Sequence, residues 1–453
     1  MSKCVKIIGA GLAGSEAAWQ LAERGVAVQL FEMRPKSMTK AHKTGSCAEL
    51  VCSNSFRGAD LSNAVGLLKA ELREMKSLIM EAADATAVPA GGALAVDRVL
   101  FSKYIDERIR SHPLINFSEK EIEQLPEANP SEPLIVATGP LTSAPLASAI
   151  EKVTGSSSLA FFDAISPIVL GESLDMSQMY RASRYDKGDG DDYLNIPFSR
   201  EQYYTFIDEV TRAEKFGGHD EVESDMVDNL RPFEGCMPIE DVIRRGPDTL
   251  RFGAFKPVGL KDPRTGREPY AVMQLRMDDR AGTLWSMVGM QTRMRHGEQT
   301  RIFKTLSGME NVEFVRLGSV HRNTFIDSPK CLDATLSFRA CPGLFFAGQV
   351  TGTEGYVEST AGGLVAGINA SRIVSGEEMV EFPHESAIGS LMRYISDPQR
   401  KDFQPMNISF GLMPSYTLGS TKDASGRRLS KRDRRLVASE NALSAIQKLY
   451  QQL

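Results

Sequence analysis

No apolar run among the 453 residues approaches the eighteen or so a helical bilayer span needs, so no membrane segment is expected. Nor does a cleavable apolar stretch precede the first strand-like segment, so a secretory leader is not expected. Cysteine is scarce: six residues, at 4, 47, 52, 236, 331 and 341, with no C-x-x-C among them. That excludes a disulfide framework and makes a reducing cytoplasm the expected compartment. No Cys/His spacing suits zinc, so no metal site is expected, and neither G-x-S-x-G nor a Walker motif occurs. Repeats of solenoid period and low-complexity tracts are also missing. Charge of one sign is barely in excess, 53 basic against 58 acidic residues, a net of −5. Such a balance argues against a bulk polyanion binder and leaves room for a local basic patch. What is present, 42% hydrophobic and 25% charged residues, is ordinary for a globular chain, and the length suits two or three domains.

The clearest segment is the first. Val5-Lys6-Ile7-Ile8 is strand-like, and Gly9-Ala10-Gly11-Leu12-Ala13-Gly14 follows it directly. A helical pattern from Ala13 to Arg24 ends at Gly25 as C-cap, and a second strand, Val26 to Phe31, ends at Glu32. This is G-x-G-x-x-G in the setting it requires: strand, turn, helix, strand, acid. Gly9 permits the tight turn, Gly11 lets backbone N–H groups approach a pyrophosphate, and Gly14 lets helix pack on strand. Glu32 stands where a carboxylate accepts ribose hydroxyls. The segment predicts a dinucleotide site.

Two later segments favour FAD as the resident dinucleotide. Leu134 to Val136 runs into Ala137-Thr138-Gly139-Pro140, and Leu344 to Ala347 runs into Gly348. After Gly348 come Gly352-Thr353-Glu354-Gly355-Tyr356 and a small-residue helix, Ser359 to Ala370. The expected fold is α/β: a Rossmann-type FAD-binding domain formed by both ends of the chain, 1–160 and 331–453, with an α+β domain, 161–330, inserted. Asp186 to Asp192 reads as an exposed loop.

Cys52 has polar, turn-forming neighbours and a cation, Arg57, which favour thiolate chemistry. Cys236 sits in a constrained Gly-Cys-Met-Pro loop. The bland reading of any free cysteine is a small buried hydrophobe. It suffices for Cys4, Cys47, Cys331 and Cys341. Gln291 to Gln299 and Ser319 to Thr324 are rich in donors and suit either an anionic ligand or a solvated face. Arg427 to Arg435 has six basic residues and one acid, which fits a phosphate-backbone footprint or a paired helix face.

Taken together these segments resemble one family, the flavin- and folate-dependent uracil-5 methyltransferases of bacterial tRNA. Phe31-Glu32-Met33-Arg34-Pro35, Glu49 to Arg57, Ala137 to Ser143 and Phe162 to Val169 carry the likeness. So do Glu234 to Ile239, Leu250 to Leu260, His296 to Gln299, His321 to Thr324 and Phe403 to Asn407. Cys47 and Cys341-Pro342-Gly343 are small departures at positions of no catalytic note. The resemblance implies methylation at C5 of a T-loop uridine, with 5,10-methylenetetrahydrofolate as carbon donor. Reduced FAD would be carrier and reductant, and NAD(P)H would restore it. It implies tRNA as partner, with no obligate protein partner evident. Cys236 and Cys52 would be the functional pair, Cys236 as nucleophile at uracil C6 and Cys52 as acid–base partner, or with these roles exchanged. Tyr356 would stack the pterin against the flavin. Cofactor contacts are expected at Gly9, Ala10, Gly11, Leu12, Ala13, Gly14, Glu32, Gly139, Gly348 and Tyr356.

Three rivals stay open on the sequence. One is the same chemistry on a ribosomal RNA uridine. Another is a flavin NAD(P)H oxidoreductase acting on a small molecule. The third is a flavin-bound RNA-binding protein without activity.

Overall fold

The computed structural model describes residues 4–39, 41–155, 159–216, 237–422 and 425–453. Two sheets organise it. The first is a five-stranded parallel sheet with the order Leu344–Phe346, Leu134–Val136, Cys4–Ile8, Ala27–Glu32, Ile115–Glu119. The strands Leu134–Val136 and Leu344–Phe346 are apolar on both faces, as parallel strands covered by helices must be. Leu134, Ile135, Val136, Phe345 and Phe346 have no exposed surface at all. The strand from residue 344 pairs with Leu134–Val136, so segments 208 residues apart close one sheet.

The first helix, Leu12–Ala22, starts at the glycine turn. It ends slightly before the expected Arg24 because the chain closes there in a tighter motif. Gly25, at φ 75°, donates to Ala22 O at 2.9 Å and Val26 N–H reaches back to Leu21 O at 3.1 Å. The late helix is longer than expected, Tyr356–Ser375, bounded by left-handed glycines 355 and 376. It lies against Leu12–Ala22 backbone to backbone: a Cβ on Gly363 would stand 2.1 Å from Ala13 O.

The second sheet has six strands, with the order Tyr180–Arg181, Tyr193–Phe198, Ala271–Met277, Leu284–Met287, Ile168–Leu170, Phe314–Arg316, and every pairing in it is antiparallel. It has a core of its own, in which Trp285, Tyr203, Phe198, Phe206 and Phe255 are buried. The chain passes between the two sheets through the antiparallel pair Leu159–Ile165 and Ser319–Phe325. The Asp186–Asp192 loop is exposed as expected except at Gly190, which is half-buried, and at Asp192, which turns inward to accept the Gly91 N–H. A small sheet, Ser55–Gly58, Ala93–Val96 and Ala87–Val88, follows the Cys52 segment. Among the described residues no helix is long and apolar enough to cross a membrane, and no cluster of His, Cys, Asp and Glu could hold a metal ion.

Candidate functional site

Parallel strands leave a crevice at their carboxyl ends where the strand order reverses. Here that crevice is a cleft of about 1000 Å³, open to solvent, at the ends of Cys4–Ile8, Ala27–Glu32 and Leu134–Val136. Gly9, Gly11, Leu12, Ala13, Glu32, Gly139, Gly348 and Tyr356 all line it. Ala10 and Gly14 stand behind the wall. Gly14 faces the turn, where a Cβ would meet Gly9 O at 1.8 Å. By contrast a Cβ on Gly11 or Gly139 would meet nothing within 4 Å, so these two glycines face open space. Gly9 and Gly139 both adopt positive φ, 99° and 65°.

Glu32 is almost wholly buried, and four donors meet its carboxylate. Ala10 N–H donates to Oε2 at 2.9 Å, and the Arg34 amide and guanidinium bond both oxygens at 2.9–3.2 Å. Burial alone would raise its pKa, but the hydrogen bonds and charge of Arg34 outweigh this and hold it below the usual carboxylate range. Arg34 also reaches Glu49 at 3.2 Å, and Glu49 fastens the chain through the amides of Lys43 and Thr44. Neither Arg34 nor Glu49 stood out in the sequence reading as a site residue, although each lies inside a segment it marked.

Cys52, half-buried, follows Val51 and Glu49, both in the cleft wall. Its loop is held from several sides. Ala48 N–H donates to Ala10 O at 2.9 Å, which ties the loop to the glycine turn. Tyr356 Oη accepts the amides of Cys52 and Ser53 at 2.9 and 3.1 Å, and its ring centroid lies 5.7 Å from that of Phe56. Arg98 donates to Leu50 O at 2.7 Å while Asp278 holds it by two bonds of 2.8 Å. Arg316 donates to Val51 O and Cys52 O at 2.7 and 2.8 Å. Burial, then repulsion from Arg98, pulls the Arg316 guanidinium down to about 10. Arg276 donates to Asn54 Oδ1 at 3.0 Å and Ser53 Oγ at 2.9 Å. Arg276 and Arg316 come from the antiparallel sheet, so that sheet reaches across to hold the Cys52 loop.

Cys236 lies outside the described residues. Burial pushes the thiols of Cys47 and Cys331 upward, Cys331 to about 12, which suits inert packing. The donor-rich segment from Gln291 is occupied internally. Gln299 donates to Met294 O and Gly318 O, Arg293 pairs with Asp241, and Arg301 binds Glu298. Beside Cys52 stands Glu354, buried and bonded by Gln349 Nε2 at 2.6 Å. Burial, with Asp163 adding repulsion, raises its pKa well above the ordinary value.

Residues 4–378 match the model of the glucose inhibited division protein A family. Among curated relatives, the methylenetetrahydrofolate–tRNA-(uracil-5-)-methyltransferase of Symbiobacterium thermophilum is 53% identical over 442 residues, 98% of this chain and 96% of its own. The protein of the same name from Listeria innocua is 51% identical over 453 residues, covering both chains completely. A solved structure of GidA from Aquifex aeolicus superposes with a TM-score of 0.71 at 17% identity, covering 99% of this chain and 73% of that one, which supports the fold. With this kinship running the whole length of the sequence, the chain belongs to the glucose inhibited division protein A family and, within it, to the methylenetetrahydrofolate–tRNA-(uracil-5-)-methyltransferases.

Proposed function

We propose that this chain methylates C5 of a uridine in the T loop of tRNA, taking the carbon from 5,10-methylenetetrahydrofolate with the help of FAD. The observation that carries the reading is full-length kinship joined to one piece of geometry: a cysteine loop clamped at the wall of a dinucleotide cleft.

The cleft fits FAD on its own chemistry. Gly11 and Gly139 present bare backbone to open space, the helix Leu12–Ala22 points its amino end there, and a buried acid lies at the ribose position. Gly9, Gly11, Leu12, Ala13, Gly139 and Gly348 would cradle the pyrophosphate and flavin, and Glu32 would meet the ribose in exchange for one of its bonds to Arg34. When bound, FAD supplies one-carbon transfer and the reducing electrons, and NAD(P)H is the proposed source of those electrons.

The protein's own task is to activate the uracil. C5 is too weak a nucleophile to attack the one-carbon unit until a thiolate adds at C6 and makes an enolate. A base must then remove the C5 proton. The proposed pair is Cys236 for the addition and Cys52 for the proton, or the reverse. Tyr356 is proposed to do two things: its hydroxyl fixes the Cys52 and Ser53 amides, and its ring offers the pterin a face in the cleft. Segments 1–160 and 331–453 are proposed as one FAD-binding domain with 161–330 inserted, a division that two separate apolar cores support. The cytoplasm is the proposed compartment.

The test is transfer of label from methylenetetrahydrofolate to a tRNA transcript and a ribosomal RNA fragment, side by side, with NADPH. Label at the T-loop uridine is expected. Label on the ribosomal fragment alone would move the target, and NADPH turnover without RNA labelling would favour a small-molecule oxidoreductase. Cys52→Ala should keep its flavin and lose transfer by at least a hundredfold, in the range of ~10²–10⁴ for a lost acid–base group.

A further inference from the structure

The run of cations near the C-terminus divides in two in the fold. Arg434 and Arg435 turn inward. Arg434 lies 4.7 Å over the Tyr416 ring and donates to Tyr416 O at 3.0 Å. Arg435 lies 5.4 Å over Phe410 and donates to Ser62 O at 3.3 Å. Lys422, Arg427, Arg428, Lys431 and Arg432 are all exposed. They are brought together where Lys422 bridges to Arg428 and Leu429 N–H bonds Thr421 O, just before the helix Lys431–Tyr450.

Cations outnumber acids here. From 422 to 432 the sequence sets five cations against one acid, Asp423, and the following Asp433 accepts from the Ser430 hydroxyl at 2.6 Å. Arg432 faces Asp60 at 3.6 Å with both side chains half or more exposed, a pair worth little and easily exchanged for a phosphate. Leu418, 85% exposed, ends the short helix Pro414–Thr417 just before the patch. In a chain of net charge −5, five exposed cations on one small surface form a local field that an anionic polymer can follow.

The patch is also fixed relative to the cleft. Arg435 and Ser439 bond the carbonyls of Ser62 and Leu61, in the turn that leaves the strand Ser55–Gly58. That strand continues directly from the Cys52 loop. A phosphate held by Arg428 or Lys431 is therefore held at a set position from Cys52.

We propose that Lys422, Arg427, Arg428, Lys431 and Arg432 form the surface that grips the phosphate backbone of the RNA substrate, while Arg434 and Arg435 serve only to seat that surface. The proposal rests on RNA being the substrate. The experiment is binding and methylation of a tRNA transcript by full-length protein, comparing wild type with Arg428→Glu/Lys431→Glu and with a control, Lys103→Glu/Lys330→Glu, reversed at equally exposed lysines. The first variant should raise Kd and KM for tRNA at least tenfold and make the slope of log K against log salt shallower by about 2, near 0.9 per lost duplex phosphate contact. Its kcat at saturating tRNA and its flavin content should match wild type. The control should stay within about twofold, the size expected of bulk charge alone once salt screens it. An unchanged Kd in the first variant, or an equal loss in both, overturns the proposal. Wild-type protein that binds tRNA yet labels none would instead count against the methylation reading and leave the binding comparison to be read on its own.

Discussion

The two sheets contribute to the site in opposite ways. At the parallel sheet the cleft is made of backbone: glycine turns at strand ends, a helix amino end, and side chains such as Glu32 already saturated by amides and Arg34. The antiparallel sheet offers one backbone group, the Met277 carbonyl that accepts from Asn54 Nδ2 at 2.9 Å, but works chiefly by reach. It sends long side chains, Arg276 and Arg316, across to the Cys52 loop. A site made of backbone depends on which residues lack a Cβ, whereas one made by reach depends on where a guanidinium ends. The first kind writes a spaced motif into the sequence; the second leaves one isolated letter.

The largest effect should come from adding a single carbon on the backbone side. In Gly14→Ala the new Cβ would stand 1.8 Å from Gly9 O, so the helix must leave the turn. Overpacking of about 1–3 kcal/mol falls on the cofactor cradle itself. The expected outcome is at least tenfold weaker FAD retention, read from the 450-nm absorbance of purified protein. Full flavin content would mean that close packing at this turn does not govern the cleft.

Arg276→Met tests the other side. It removes the donors to Ser53 Oγ and Asn54 Oδ1 without touching the cleft wall. Flavin content should stay at the wild-type level while kcat falls about a hundredfold, the cost of displacing a reacting group by around an ångström. Arg276→Lys, which can still reach one of the two acceptors, should recover part of the loss. Flavin lost together with activity would erase the contrast between the sheets and make Arg276 a general structural residue.

The same contrast explains what the sequence made legible. Gly9, Gly11, Gly139, Gly348 and Glu32 could be read as cleft residues because each needs a particular residue type at a particular spacing, whereas Ala10 and Gly14, expected with them, stand behind the wall. Tyr356 was singled out for its ring, yet its hydroxyl, which accepts two amides, gave no signal because its partners lie about 300 positions away. Arg276 had one faint mark. In Ala271–Met277 it shares a face with Gln274, and both are buried polar groups on an otherwise apolar strand. Alternation gives that face away, but only the fold says what it reaches. Gln291 to Gln299 shows the reverse case: three of its donors, Thr292, Arg293 and Gln299, are spent on internal partners, while Arg295 and His296 face solvent.

The smallest effect concerns a side chain that breaks the division, since it works by reach from the parallel side. Lys69, fully buried on the helix Ala64–Glu74, donates to the carbonyls of Phe56, Arg57 and Gly58 at 2.8–3.2 Å and so holds the strand after Cys52. Burial, then repulsion from Arg57 and Arg73, draws its pKa from 10.5 down to about 7. Between those values the unfolded chain binds a proton that the folded one lacks, so stability rises with pH across that window. Two positions along, Glu71 accepts the amides of Ala387 and Ile388, and burial pushes it from 4.5 up to about 8. There the folded chain keeps a proton that the unfolded one releases, so stability falls between 4.5 and 8. Lys69→Met should cost about 1–3 kcal/mol through its stranded carbonyls and flatten the alkaline limb alone. Glu71→Gln should flatten only the acid limb. Urea midpoints taken across the pH range for both variants check this, and a Lys69→Met profile parallel to wild type above neutrality would show that the ammonium stays charged in the fold.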